Sequence, residues 1–312
     1  YMREGHPRML RTPKAPAAIH TSSMLRRERR VAVIFVIPAL LAVTAVFIYP
    51  MLQSLYLSFF QVELIKPWLG RPFVGLGNYI RALSNPEFWS SMGKTAYFTV
   101  VSVGLELVIG IIVAIVLNEE FTGRGFMRAI MLIPWAMLTI TNGLTWMWVF
   151  NPNYGMFNAI LSKLGILTTY RAWLADPFWA MHAVILADVW KMAPFMTLLI
   201  LAGLQPIPDE IYEAADVDGA SGWTKFRLVI LPLLKPTILV AVVLRTMGAF
   251  KVFDVIYVMT SGGPANATKV ISFYTFGEAF RYFHIGYGSA LAWLVTLGQL
   301  LLVAVYIKLL GS

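Results

Sequence analysis

Five acids fall within ten consecutive residues: Asp209, Glu210, Glu213, Asp216 and Asp218. The flanking segments are apolar or basic, so an acidic amphipathic insert between two hydrophobic runs is built to meet a protein partner. Within it, Glu213-Ala214-Ala215 and Asp218-Gly219-Ala220 alternate carboxylates with residues small enough to let another backbone approach. Other charged groups lie inside apolar runs, where an ionisable side chain is costly and faces either a partner or a water-filled path. These are Glu106, Asp188, Lys191, Arg245, Lys251 and Asp254. Asp188 and Lys191 stand three apart on one helical face, as do Lys251 and Asp254, and each pair can neutralise itself or line a solute path. Glu106 reads equally as a hydrogen-bond partner or a lining residue. Asn142 and Trp146 share one face of a Trp- and Met-rich run. A planar amide beside an indole suits a polyol, whose C–H faces stack on aromatic rings while its hydroxyls bond to planar groups. Trp148, close by, reads as an interfacial anchor.

Several chemistries are excluded. Gly93-Lys94-Thr95 has the end of a phosphate-binding loop, but G-x-x-x-x-G-K-[ST] requires a glycine at 88, where the chain has Phe88. The chain therefore carries no ATP site of its own. With no cysteine it has no disulfide, thiol nucleophile or thiolate metal site. No catalytic constellation, metal site or resident cofactor emerges. Asn266-Ala267-Thr268 fits a glycosylation sequon, a three-residue pattern common by chance.

Composition sets the class. Hydrophobic residues are 58% and charged residues 13%, against about 25% charged in soluble domains. Mean hydropathy is +0.70. A chain of 312 residues with so few charges cannot cover a water-exposed surface, so it belongs in a bilayer. The net charge of +9 is no sign of nucleic acid, because eight of the 25 basic residues lie in residues 1–30. That placement suits a cytoplasmic tail beside anionic lipid. Six runs reach the roughly 20 apolar residues a spanning helix needs: about 31–60, 93–117, 128–150, 178–204, 233–259 and 285–309. With the amino terminus inside, cytoplasmic segments hold 14 basic residues and outer loops seven. This asymmetry places both termini, and the acidic insert, in the cytoplasm. The Arg26–Arg30 run resembles a signal-peptide n-region, but the apolar stretch after it is too long for a cleavable signal. The expected organisation is a tail over 1–30 and a membrane domain over 31–312.

The insert has its own local logic. Pro206 and Pro208 end the fourth run, and Asp209 with Glu210 occupy the first turn of a short helix, where negative charge suits the dipole. Ala214 and Ala215 give it a small face, and Gly219 fits the left-handed position that stops it. Phe226 and Ile230 are placed to pack the returning chain on the bundle. Ser261-Gly262-Gly263-Pro264 reads as a flexible turn leaving the membrane.

These residues carry a resemblance. Glu213-Ala214-Ala215, Asp218-Gly219-Ala220, Phe226, Ile230-Leu231-Pro232 and Pro236 resemble the EAA loop of ABC-importer permeases. The strings GAFKVFDVIYVMTSGGPANAT and GYGSALAW, with FVGLGNY, LIPWAM and the first-run Pro38 and Tyr49-Pro50, are similar to the carbohydrate-uptake subgroup. The resemblance covers nearly the whole chain after residue 30. It implies an all-α membrane protein of six spans with the type I importer permease fold, in a bacterial inner membrane. It also implies a coupling loop at about 206–236, in which Glu213, Ala214, Ala215, Asp218, Gly219 and Ala220 meet a cytoplasmic ATPase. The implied partners are a second permease subunit in a heterodimer, two ATPases carrying Mg-ATP, and an external solute-binding protein. The implied solute is a disaccharide, oligosaccharide, polyol or glycerol-phosphate derivative. An ion-coupled secondary transporter and a non-transporting membrane scaffold are the alternatives; the first leaves the 209–236 insert unexplained.

Overall fold

The computed structural model describes residues 21–310, and among these it is helical with no strand longer than an isolated bridge. Five helices are long and apolar enough to cross a membrane, or six when one bent pair counts as a single span. The chain divides into two compact units, Tyr1–Ser54 and Leu55–Ser312.

In the first unit, α1 (Thr21–Val43) passes through a π-helical turn (Thr44–Ile48) into α2 (Tyr49–Ser58). From Thr21, the first described residue, the chain is helical within the segment expected as a tail; residues 1–20 of that expectation lie outside the described residues.

The second unit begins with the end of α2. The short α3 (Gly77–Leu83) is tied to that end by Asn78, whose Nδ2 donates to the carbonyls of Ser58 (2.9 Å) and Phe60 (3.0 Å). Then comes α4 (Pro86–Asn118), opened by Asn85, whose Oδ1 accepts from the Glu87 N–H at 2.9 Å, with Pro86 in the first turn. Its far end is closed by Arg128, which donates to the Leu117 carbonyl at 2.8 Å.

The third span departs from the straight helix expected over 128–150. Here α5 (Arg124–Met131) and α6 (Ile133–Ala136) meet α7 (Thr139–Val149) at 92°. Met137 and Leu138 are extended between them. Hydropathy is continuous through the bend, which is why composition alone did not reveal it.

After α8 (Met156–Lys163), Asp176 caps α9 (Pro177–Leu204) by accepting from the N–H groups of Phe178 (2.9 Å) and Trp179 (3.2 Å). The acidic α10 (Asp209–Val217) and short α11 (Gly222–Lys225) follow. A π-helical turn, Phe226–Ile230, runs on into α12 (Leu231–Phe250). The fifth span is therefore Gly222–Phe250 rather than 233–259. Pro232 lies just after the π-helical turn, inside a helix continuous from Gly222, so its missing N–H interrupts the helical ladder there. The chain breaks after Phe250 and resumes as α13 (Asp254–Met259), α14 (Ile271–Phe276) and α15 (Ile285–Leu310).

The core of this unit lies where α4, α9 and α12 pack, around Phe98, Met196, Ile200 and Leu234. α9 is the most enclosed span. Outward faces stay apolar, as at Val100 and Leu301, each 70% exposed, the reverse of a soluble protein and the surface a bilayer requires.

Candidate functional site: an acidic helix and a buried ion cluster

α10 sorts its residues by face. Glu210, Glu213, Ala214 and Val217, at i, i+3, i+4 and i+7, point to solvent, and Val217 is 88% exposed. Ala215 is buried, and Tyr212 packs on the main core. Ala214 and Ala215 thus lie on different faces and do not form one small patch. Burial, with Asp209 and Glu119 near it, pushes the Tyr212 hydroxyl above its ordinary range. Gly219 has φ +72°, as a left-handed stop requires. The Gly219 N–H donates to Asp216 O and the Ala220 N–H to Ala215 O, both at 3.0 Å, closing the two loops of a Schellman motif. Asp218 and Gly219 are exposed beside this turn. Asp216 also pairs with Lys225 at 2.5 Å, tying α10 to α11. Ile230 is buried and Phe226 packs on the core, as expected for the returning chain. The result is a short helix with a fixed stop, one face anchored on the bundle and the other exposed to solvent.

Inside the bundle, charges from three helices converge. The Arg245 guanidinium on α12 donates twice to Glu106 on α4, with Nη2 at 2.8 Å from Oε1, and again to Asp188 on α9. Arg245 is 4% exposed, Glu106 0% and Asp188 8%. The expected neutralisation of Asp188 by Lys191 is corrected: Asp188 is bonded to Arg245. The bend of the third span leaves carbonyls without helical partners, and Lys191 supplies them. Its ammonium donates to Trp135 O at 3.1 Å and Met137 O at 2.7 Å. Glu106 is thereby assigned as a structural partner. Charges of opposite sign in three apolar runs, Glu106, Asp188 and Arg245, were the signal for this joint; nothing in the sequence marked the Lys191 contacts.

Lys251 and Asp254 flank the break after α12 and, among the described residues, form no ion pair with each other. A helical i, i+3 geometry does not exist there, because residues 251–253 are not helical. Both instead line a cavity of about 210 Å³ together with Asp188, Lys191, Arg245 and Thr139. Asn142 lies one turn beyond Thr139 but is fully buried between α7 and α9, where its Nδ2 donates to Ala187 O at 3.1 Å. It does not face open space. Trp146 is half-buried and meets Trp190 edge-to-face at 6.0 Å. Trp148 is 67% exposed, as an interfacial anchor requires.

Two remaining motifs resolve. Gly93-Lys94-Thr95 lies inside α4 with Lys94 donating to Ser90 Oγ at 3.0 Å, so its amides are held in the helix and cannot cradle phosphate. The Ser261–Pro264 segment is pinned rather than loose. The Thr268 hydroxyl donates to Gly263 O at 2.8 Å and lies 2.6 Å from the Thr260 hydroxyl. Thr268 is fully buried, so the hydroxyl of the sequon is enclosed.

Residues 106–310 match the family described as binding-protein-dependent transport system inner membrane component. A trehalose/maltose transport system permease protein of Thermococcus litoralis is 45% identical over 291 residues, 92% of this chain and 96% of that protein. A sulfoquinovosyl glycerol transport system permease protein of Agrobacterium fabrum is 38% identical, covering 91% of this chain and 92% of its own. A trehalose transport system permease protein of Mycobacterium tuberculosis is 36% identical, covering 96% and 94%. Among solved structures, a chain of a bacterial ABC transporter that imports the acidic polysaccharide alginate superposes with TM-score 0.78 at 21% identity. That superposition covers 92% of this chain and 98% of the other, and establishes the type I importer permease fold. The chain belongs to the binding-protein-dependent transport system inner membrane component family and is a multi-pass ABC-importer permease.

Proposed function

We propose that this chain is one permease subunit of an ATP-driven importer for a sugar or sugar derivative, with a disaccharide or oligosaccharide as the solute. The observation that carries the reading is 45% identity across 92% of the chain to a relative named for trehalose and maltose transport. In this reading the chain performs no chemistry and binds no cofactor. It forms half of the path in a bacterial inner membrane, paired with a second permease in a heterodimer. The outward face of α10, with Glu213, Ala214 and the Asp218–Ala220 turn, seats in one of two ATPases that hydrolyse Mg-ATP. An external binding protein delivers the solute. The path runs by the cavity lined by Asp188, Lys191, Lys251 and Asp254; Asn142 and Trp146, expected beside it, are not among its lining residues. The ion-coupled alternative is weakened by the mutual bonding of Glu106, Asp188 and Arg245, which leaves them engaged.

Thermal-shift screening of the cognate binding protein tests the solute class. Trehalose or maltose should raise its melting temperature, while amino acids should not; stabilisation by amino acids alone would refute a sugar importer. Topology has its own check, since the chain lacks cysteine. Ser84, Ser162 and Ser221 are all exposed. Cysteines at 84 and 162 should label from outside, and one at 221 only after permeabilisation. Outside labelling at 221 would reverse the orientation.

A further inference from the structure

A second and larger cavity lies on the other side of the break that follows α12. It measures about 400 Å³, within the range of small-molecule sites, and shares Lys251 and Phe253 with the charged cavity. Its walls come from α14, the turn after it, and α15. Phe276 lies between two other wall rings, 4.9 Å from Phe253 and 5.3 Å from Phe280 by ring centroids, so the three form an aromatic run.

Polar groups interrupt this apolar wall at spaced points. Gln299 spends its Nε2 on Met247 O at 2.7 Å, which leaves its amide oxygen as an acceptor. The Lys251 ammonium forms no ion pair among the described residues. A hydrocarbon chain would leave these groups unanswered, and an anion would find one cation and no cluster of donors. A pyranose ring answers both halves of the wall, with its C–H face on the phenyl rings and its hydroxyls on Gln299 and Lys251.

We propose that this cavity is a second sugar-binding subsite, holding one pyranose ring at the outer side of the α12 break. It adjoins the charged cavity and is separate from it. The subsite rests on the sugar-importer reading and adds a residence point within the permease, with Lys251 and Phe253 as the wall common to both cavities.

The test uses the assembled complex with its binding protein in proteoliposomes. Thr296 lines the cavity, and Thr296→Cys places a single thiol in a chain with no other. Its reaction rate with a small methanethiosulfonate is measured with trehalose, maltose or histidine present, in complexes whose uptake of each is assayed in parallel. Slowing by a transported sugar and not by histidine is expected. If Thr296→Cys assembles poorly, Ser272→Cys reports on the same wall. An unaltered rate with a sugar that the same complex transports overturns the subsite and leaves the importer reading intact. A thiol reactive in the isolated chain but silent in the complex also overturns it, because a partner chain then fills the space. Transport of no sugar at all removes the importer reading, and the ligand class with it.

Discussion

Arg245→Met is expected to abolish assembly of the complex. The substitution leaves Glu106 and Asp188 as two carboxylates facing each other in the bundle interior, with no donor to answer either. Removing one partner of a buried ion pair costs about 3–5 kcal/mol, which is of the order of the whole stability of a typical domain. The side chain also joins α4, α9 and α12, so its loss loosens all three at once. Thermal unfolding in detergent, followed by size exclusion, measures the effect. Replacing the whole cluster, as Glu106→Gln, Asp188→Asn and Arg245→Met together, should recover much of the loss because no uncompensated charge remains. An Arg245→Met chain that unfolds at the same temperature as the parent would show that the cluster does not hold the bundle.

The second large effect is expected at Gly219. Its φ of +72° is one that a β-branched residue adopts only under strain. A Cβ there would meet no atom within 4 Å, so any penalty is conformational rather than steric. Gly219→Val should unmake the Schellman stop and turn α10 relative to whatever receives it, lowering solute-stimulated ATP hydrolysis and uptake together. Gly219→Asn, which tolerates the left-handed region, should retain most of both. Glu213→Ala keeps the helix and removes an outward carboxylate, so it should lower coupling without disturbing membrane insertion. Capture of solute by the external binding protein should be the same in all three variants. Uptake and hydrolysis at parent levels in both Gly219→Val and Glu213→Ala would remove α10 from the coupling role.

The parts legible in the sequence were those fixed by local chemistry. The span over 178–204 matches α9 closely because Asp176, Pro177 and Pro206 punctuate it, and 285–309 matches α15, which follows an unbroken apolar run. The stop at Gly219 was legible because one residue type satisfies that backbone. Breaks inside continuous apolar runs were not. Hydropathy is continuous through the bend at Met137–Leu138, and the charges at the Lys251–Phe253 interruption, Lys251 and Asp254, read as a helical pair rather than as a break. Partner choice was hidden for a related reason. Asp188 and Lys191 are neighbours along the helix, but the acceptor that Lys191 meets is a carbonyl from a bend some fifty residues earlier. Asn142 was chosen for its chemistry, and only the fold shows that α9 encloses it.

The central claim is that ATP hydrolysis on partner subunits, transmitted through α10, drives solute through this permease. The most direct measurement is uptake of labelled trehalose or maltose into proteoliposomes containing the full complex and its binding protein, with ATP inside. Vanadate should abolish that uptake, and a protonophore that collapses the ion gradients should leave it unchanged. Uptake that survives vanadate and disappears with the protonophore would contradict the account and identify an ion-coupled transporter.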